Sequence, residues 1–225
     1  MIKQKWAIFI FLGIELTLYI LYNFYTSGMQ TSYCQYASIA TAFIWVMVTP
    51  ISQKSDQLVR AALLCTLVAD YFLVIRGSDQ EMAMIWFNMV QILYAFRIYL
   101  LISKKLTWRL ALRAIFIIVF LLVGWMITKN QFDLLLILTL VYFANLVINM
   151  IEALFVARRL IFGLGLLFFI GCDIFVGLGN MQDYLTLSPT SIWAQLIGLP
   201  FDLAWVFYLP SQVLIALSIN KKTTS

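Results

Sequence analysis

The sequence predicts an all-α polytopic membrane protein, a single bundle of eight transmembrane helices with both termini cytoplasmic, and three observations carry that prediction. Apolar residues make up 64% of the 225-residue chain and charged residues only 11%, with a mean hydropathy of +0.96. A soluble domain carries about 45–50% apolar and roughly 25% charged residues, so no aqueous core has room for the excess. Apolar stretches of bilayer-spanning length recur eight times. The basic residues fall almost entirely on one side of the alternating connections, which sets an orientation.

The first span, 6–25, follows Lys3 and Lys5, and Thr26-Ser27-Gly28 after it offers small residues of the kind found at signal cleavage sites. Its 20-residue apolar run exceeds a signal-peptide core and seven more spans follow, so a retained helix is expected. The second, third and fourth spans run over 34–50, 57–75 and 82–102. The fifth, 109–127, starts at Arg109 and is followed by 133–156, 160–179 and 191–218, the last containing Pro200 and Pro210 as possible bends. Connections are short; the longest, Met181 to Thr190, contains Ser188-Pro189, and the chain reads as one domain over residues 1–225.

With the N-terminus cytoplasmic, that face holds Lys3, Lys5, Lys54, Arg60, Arg97, Lys104, Lys105, Arg109, Arg113, Arg158, Arg159, Lys221 and Lys222, leaving only Arg76 and Lys129 outside. The asymmetry agrees with an even span count, because both termini then share a side. Snorkelling of these side chains to lipid phosphates accounts for nearly all of them. The net charge of +5 is therefore read as a topology signal, and no nucleic-acid partner is expected.

The chain has no histidine, and Cys34, Cys65 and Cys172 are scattered without ligand spacing, so neither a metal nor a cofactor is expected. Buried small hydrophobes are the reading for Cys65 and Cys172.

Function has to be read from polar residues inside the spans. A carboxylate near a helix centre costs about 2.5–3.5 kcal/mol on insertion scales, so each one needs a reason. Glu15, Asp70, Glu152, Asp173 and Asp202 all fall inside expected spans. Asp70 lies 10 residues beyond Arg60 and Asp173 lies 14 beyond Arg159, roughly 15 and 21 Å along their axes. Both follow a small residue and precede a Phe by two, at an offset of 103 residues. That hints at a four-plus-four repeat placing the two acids across a pseudo-two-fold axis with their carboxyl groups within about 10 Å.

Further polar residues recur at helical spacing: Tyr142, Asn145, Asn149 and Glu152 on span six, Asp202, Trp205, Tyr208 and Gln212 on span eight, and Asn88 and Gln91 near Tyr94 on span four. Such stripes face one another and not lipid. Interhelical hydrogen-bond glue, worth about 0.6 kcal/mol per pair, is the competing explanation for each, and Glu15 is expected to be structural.

Four of these motifs stand out: Ala69-Asp70 on span three, Gln91 with Tyr94 on span four, Phe168-Phe169-Ile170-Gly171-Cys172-Asp173 on span seven, and Tyr208-Leu209-Pro210-Ser211-Gln212 on span eight. They resemble the YhhN-like family of eight-span membrane proteins, whose characterised members are lysoplasmalogenases. The resemblance covers the chain from about residue 57 onward; Gln91 stands where the family carries a His, and Leu209 where it carries a second Tyr. It implies hydrolysis of the vinyl ether of a lysophospholipid or other alkenyl ether lipid, releasing a fatty aldehyde, in a protein of the bacterial cytoplasmic membrane surrounded by membrane lipids.

A vinyl ether is stable to base and labile to acid, so its hydrolysis needs one group to give a proton and another to take one. Two carboxylates sharing a dry site do not both ionise easily, so one can donate while the other stays charged. Asp70 and Asp173 are the expected catalytic pair. Gln91, Tyr94, Asn145, Asn149, Asp202, Tyr208 and Gln212 are the expected substrate-binding groups. Two alternatives stay open: a catalytically silent lipid-binding relative, favoured by the missing His, and a small-molecule or proton-coupled transporter, disfavoured because no pair of spans shows matching Gly/Pro interruptions.

The expected topology is checked by cysteine-accessibility labelling. Probes at Lys222 and Asp183 should report opposite sides of the membrane, and same-side labelling would refute the eight-span arrangement.

Overall fold

Among the residues that the computed structural model describes (2–51, 53–102, 106–128, 132–180, 192–197 and 202–219), every regular element is a helix. In order these are α1 (Ile2–Phe24), α2 (Met29–Val48), α3 (Lys54–Asp70), α4 (Gln80–Leu101), α5 (Leu106–Thr128), α6 (Leu134–Ile151), α7 (Leu160–Asn180), α8 (Ile192–Ile197) and α9 (Leu203–Leu217). Two of them run on without a break into π-helical turns, α3 through Tyr71–Arg76 and α6 through Glu152–Val156. The connection expected over 181–190, and Pro200, lie outside the described residues.

Among the described residues, six helices are long and apolar enough to cross a membrane: α1, α3 and α6 with their π-helical ends, α4, α5 and α7. α2 has 20 residues, but Gln30, Thr31, Ser32, Gln35, Ser38 and Thr41 lower its hydropathy. The largest departure from expectation is at the last apolar stretch. The single helix expected over 191–218 divides into α8 and α9, with 198–201 outside the described residues. Asp202 explains the fresh start: its backbone is extended and its side chain accepts a hydrogen bond from Ala204 N at 2.9 Å, capping α9. The 15 residues of α9 measure about 22 Å, short of a hydrocarbon core about 30 Å thick.

Helix ends are closed by local chemistry. Gln53 and Asp56 form a reciprocal capping box at the start of α3. Arg60 closes the end of α2, donating through Nε to Val46 O at 2.8 Å and through Nη2 to Met47 O and Thr49 O. The π-helical end of α3 stops at Gly77, whose φ of 63° is left-handed backbone that glycine adopts freely, and Gly77 N bonds Phe72 O at 2.9 Å.

α7 packs most extensively against α9 and α3 against α4, while α6 joins α4 to α7 and α2 touches both α3 and α9. α1 and α5 form the periphery, on α2 and α6 respectively, and expose Trp6, Phe9, Ile10, Ile115, Ile118 and Leu122. So broad an apolar outside fits a lipid environment. Charge segregates along the bundle: the ends where α3, α5 and α7 start carry Lys54, Arg60, Arg109, Arg113 and Arg159, and the opposite ends carry Asp79, Glu81 and Asp133 with Arg76.

The α7–α9 contact depends on Gly165. A Cβ there would lie 2.8 Å from Ile215 Cγ1, 3.1 Å from Ile215 N and 3.2 Å from Ser211 O, two of these being backbone atoms that do not yield easily. At Gly177, farther along the same helix, a Cβ would meet nothing within 4 Å. Gly165→Ala should therefore destabilise the protein in detergent by about 1–3 kcal/mol through overpacking. Gly177→Ala should be neutral or raise the unfolding temperature, since alanine is the better helix former by up to about 1 kcal/mol. The same response from both variants would show that α7 and α9 do not meet this closely.

Candidate functional site

The centre of the bundle is crossed by two Asp–Tyr hydrogen bonds. Tyr208 on α9 donates its hydroxyl to Asp70 Oδ2 at 2.6 Å, and Tyr142 on α6 donates to Asp173 Oδ2 at 2.7 Å. Asp70, Tyr142 and Tyr208 are buried, and Asp173 is half-buried. The carboxyl groups lie within electrostatic reach of each other. Phe169, one helical turn before Asp173, separates the two tyrosines, its ring 5.3 Å from Tyr208 and 6.2 Å from Tyr142, and Phe87 closes the same aromatic group. Asp70 stands where α3 passes into its π-helical turn, and such turns recur at functional sites because they reset the register of the side chains that follow.

The two bonds do not obey the two-fold relation expected from the matching sequence contexts. Asp70 finds its partner on α9 and Asp173 on α6, whereas a four-span repeat would pair Asp173 with α4 or Asp70 with α2. Tyr36 of α2 does come within electrostatic reach of Asp70.

A second polar layer lies toward the basic end. Asn149 Nδ2 donates to both the backbone and side-chain oxygens of Gln91, at 2.9 and 3.0 Å. Among the described residues, Gln91 Nε2, the Tyr94 hydroxyl, Ser211 Oγ and both polar atoms of Gln212 are buried without a hydrogen-bond partner. Each such atom costs about 1–3 kcal/mol unless water or a ligand meets it, and native interiors tolerate few of them. Gln212 follows Tyr208 by one turn on the same face of α9, so this layer lies directly beyond the Asp70–Tyr208 bond.

At the basic end, two arginine systems turn inward. Arg97 donates to Ser218 Oγ and O, lies 3.6 Å from Asp56 and stacks on Phe162 at 4.3 Å. Arg113 reaches from α5 to Asn145 Oδ1, Asn149 Oδ1 and Glu152 Oε2, and Arg109 pairs with Glu152 Oε1 at 2.8 Å. For Arg97, Arg109 and Arg113 these contacts correct the expectation that snorkelling to lipid accounts for nearly all of the inner basic residues. Arg97 and Arg113 are only 2% and 8% exposed, and each is committed to carboxylate and amide or hydroxyl partners inside the bundle.

The expected site residues therefore separate into groups. Asp70, Asp173 and Tyr208 belong to the central pairs, and Gln91, Tyr94, Asn149 and Gln212 to the layer beyond. Asn145 serves Arg113 instead of the centre. Asp202 is exposed and caps α9, so it does not begin the inward stripe of that helix. Asn88 ties α4 to α6 through Leu138 O at 3.0 Å and is interhelical glue. Glu15 is buried on α1 beside Thr41, apart from the centre. Sequence reasoning left out Tyr142 as a partner for Asp173, Phe169 as the spacer, and Ser211. The available signals were the position of Tyr142 at the head of the span-six stripe and the i, i+4 spacing of Phe169 and Asp173.

Among the described residues no three His, Cys, Asp or Glu side chains converge as metal ligands. No protein-family model, curated protein or solved structure matches the chain.

The Asp70–Tyr208 bond makes a testable demand on stability. Tyr208→Phe removes the donor from a buried carboxyl and should destabilise the protein by about 1–3 kcal/mol. Asp70→Asn should stay near wild type, because its amide oxygen still accepts from Tyr208. Unfolding followed by tryptophan fluorescence in a neutral detergent reads both, and an unchanged Tyr208→Phe midpoint would mean that the bond adds nothing.

Proposed function

We propose that this chain is an integral membrane hydrolase of the lysoplasmalogenase kind, cleaving the vinyl ether of a lysophospholipid or related alkenyl ether lipid with Asp70 and Asp173 as its acid and base. The proposal includes eight membrane crossings, both termini on the cytoplasmic side, and a bacterial cytoplasmic membrane as the setting. The motif resemblance supports the substrate, and charge bias supports the topology. One observation carries the chemistry: two aspartates inside the bundle, within reach of each other's charge, each held by a tyrosine hydroxyl and neither ion-paired among the described residues.

In the first step one carboxylic acid gives its proton to the vinyl carbon distal to oxygen. The double-bond electrons form the new C–H bond, and an oxygen lone pair completes the oxocarbenium ion. The other carboxylate lies against that cation and takes a proton from the attacking water, which yields the hemiacetal. In the second step the first aspartate takes back a proton from the hemiacetal hydroxyl. The second gives its own to the departing glyceryl oxygen. The C–O bond breaks, the fatty aldehyde and the glycerophospho-alcohol leave, and both aspartates return to their starting states. Each acid–base contribution of this type is worth about 10²–10⁴-fold. Tyr142 and Tyr208 orient the two carboxyl groups, and Gln91 Nε2, the Tyr94 hydroxyl and the Gln212 amide supply hydrogen bonds for water and the ether oxygen.

The transporter alternative gains nothing from the divided last span. A paired break would be expected in the corresponding span of the first half, and α4 runs unbroken from Gln80 to Leu101.

Purified protein in detergent should release aldehyde from an alkenyl lysolipid, and in D2O the aldehyde should carry one deuterium on the carbon next to the carbonyl. Asp70→Asn and Asp173→Asn should each remove nearly all activity, and the double variant should be little worse, because members of one acid–base unit are not additive. Most activity surviving a single substitution, or no aldehyde from any alkenyl lysolipid, would end the hydrolase reading and leave a silent lipid-binding protein.

A further inference from the structure

The central site leaves the charge at the basic end without a purpose. Arg109 and Arg113 lie one turn apart on α5, and both direct their guanidinium groups at a single carboxylate, that of Glu152, at 2.8 and 2.9 Å. Their other polar neighbours on α6, Asn145 and Asn149, are neutral, as is Tyr99 of α4, whose ring lies 4.9 and 5.5 Å from the two guanidinium carbons. Among the described residues, two cations share this one anion, which leaves one positive charge over in a largely buried setting. Arg113 is more than nine-tenths buried, yet among the described residues its Nε has no hydrogen-bond partner, and neither does the Tyr99 hydroxyl. A pair of guanidinium forks with donors to spare beside a phenol is chemistry that suits a phosphate, whose several oxygens accept bidentate bonds.

We propose that Arg109, Arg113 and Tyr99 form a binding site for a phosphate group, and that its occupant is the headgroup phosphate of the lysolipid. The lipid identity rests on the hydrolase reading, while the phosphate chemistry does not. The spacing along α6 fits one molecule reaching both places. Tyr142, which holds Asp173, and Glu152, which holds the arginines, are ten residues apart, about 15 Å along the axis. In a lysoplasmalogen the phosphorus lies seven bonds from the vinyl carbon that is protonated, about 9 Å when extended. The side chains of Arg109 and Arg113 reach inward to cover the remainder. Glu152 competes with the ligand for the same forks, so it sets how tightly phosphate is held.

The experiment uses full-length protein in a neutral detergent and a saturated 1-O-alkyl lysophosphocholine, which has no vinyl ether to cleave. Its affinity is compared with that of the 1-O-alkylglycerol lacking phosphate and with inorganic phosphate alone. The phosphate-bearing lipid should bind at least about tenfold tighter than the alkylglycerol, the scale of one charge-assisted hydrogen bond. Arg109→Gln should erase that margin and leave alkylglycerol binding unchanged. Glu152→Gln keeps side-chain volume and removes the competing charge, so it should widen the margin; this opposite sign separates ligand binding from general damage if Arg109→Gln fails to fold. Inorganic phosphate binding with the same arginine dependence, without any lipid margin, would keep the phosphate site and overturn the lipid as its occupant. Equal affinity for the two lipids with no phosphate binding, a margin that survives Arg109→Gln, or a folded Glu152→Gln with no gain would overturn the site. Aldehyde release separates the two proposals: normal release without a margin sinks only the lipid phosphate as occupant, and a margin without release sinks only the hydrolase.

Discussion

A polar side chain surrounded by hydrocarbon can be satisfied only by other parts of the protein, and the interior of this bundle is arranged around that constraint. The outward faces of α1 and α5 are almost wholly apolar, and the groups that lipid would penalise are turned toward the axis. There they form successive layers: the Asp70–Tyr208 and Asp173–Tyr142 bonds, then Gln91 with Asn149, then the arginines on Glu152 and Asp56. Helices that hardly touch through their backbones are joined by these side chains. Asp70 ties α3 to α9, and Arg97 ties α4 to the end of α9.

How far the sequence revealed this depended on which physical signal was involved. Span limits follow from hydropathy, a property of the local chain, so Leu160–Asn180 was legible as 160–179 and Gln80–Leu101 as 82–102. The division of the last span was not, because apolar composition continues up to and beyond Asp202, where the backbone is extended. Only Asp202 in a capping position and Pro200 marked it. The polar stripes were legible as stripes, but their partners were not, since periodicity fixes a face and not what that face meets. Arg113 shows the limit best. Snorkelling to lipid and reaching into the bundle leave the same mark on a single helix, and only Asn145, Asn149 and Glu152 on another helix decide between them.

The two carboxylate environments also differ in kind, and that difference bears on what each can do. Glu152 and Asp56 face guanidinium groups, which bring positive charge against the carboxylate. Asp70 and Asp173 face phenolic hydroxyls, which donate a hydrogen bond without adding a charge. An aspartate so held keeps its orientation whether or not it carries a proton, because the tyrosine can stay bonded to one oxygen while the other exchanges. Arginines are present in the same bundle, on α4 and α5, and the layers place them toward the basic end, away from the aspartate pair. The acid–base pair proposed above would use that separation: bonds that position its carboxyl groups without adding charge, and a cationic end set apart from them.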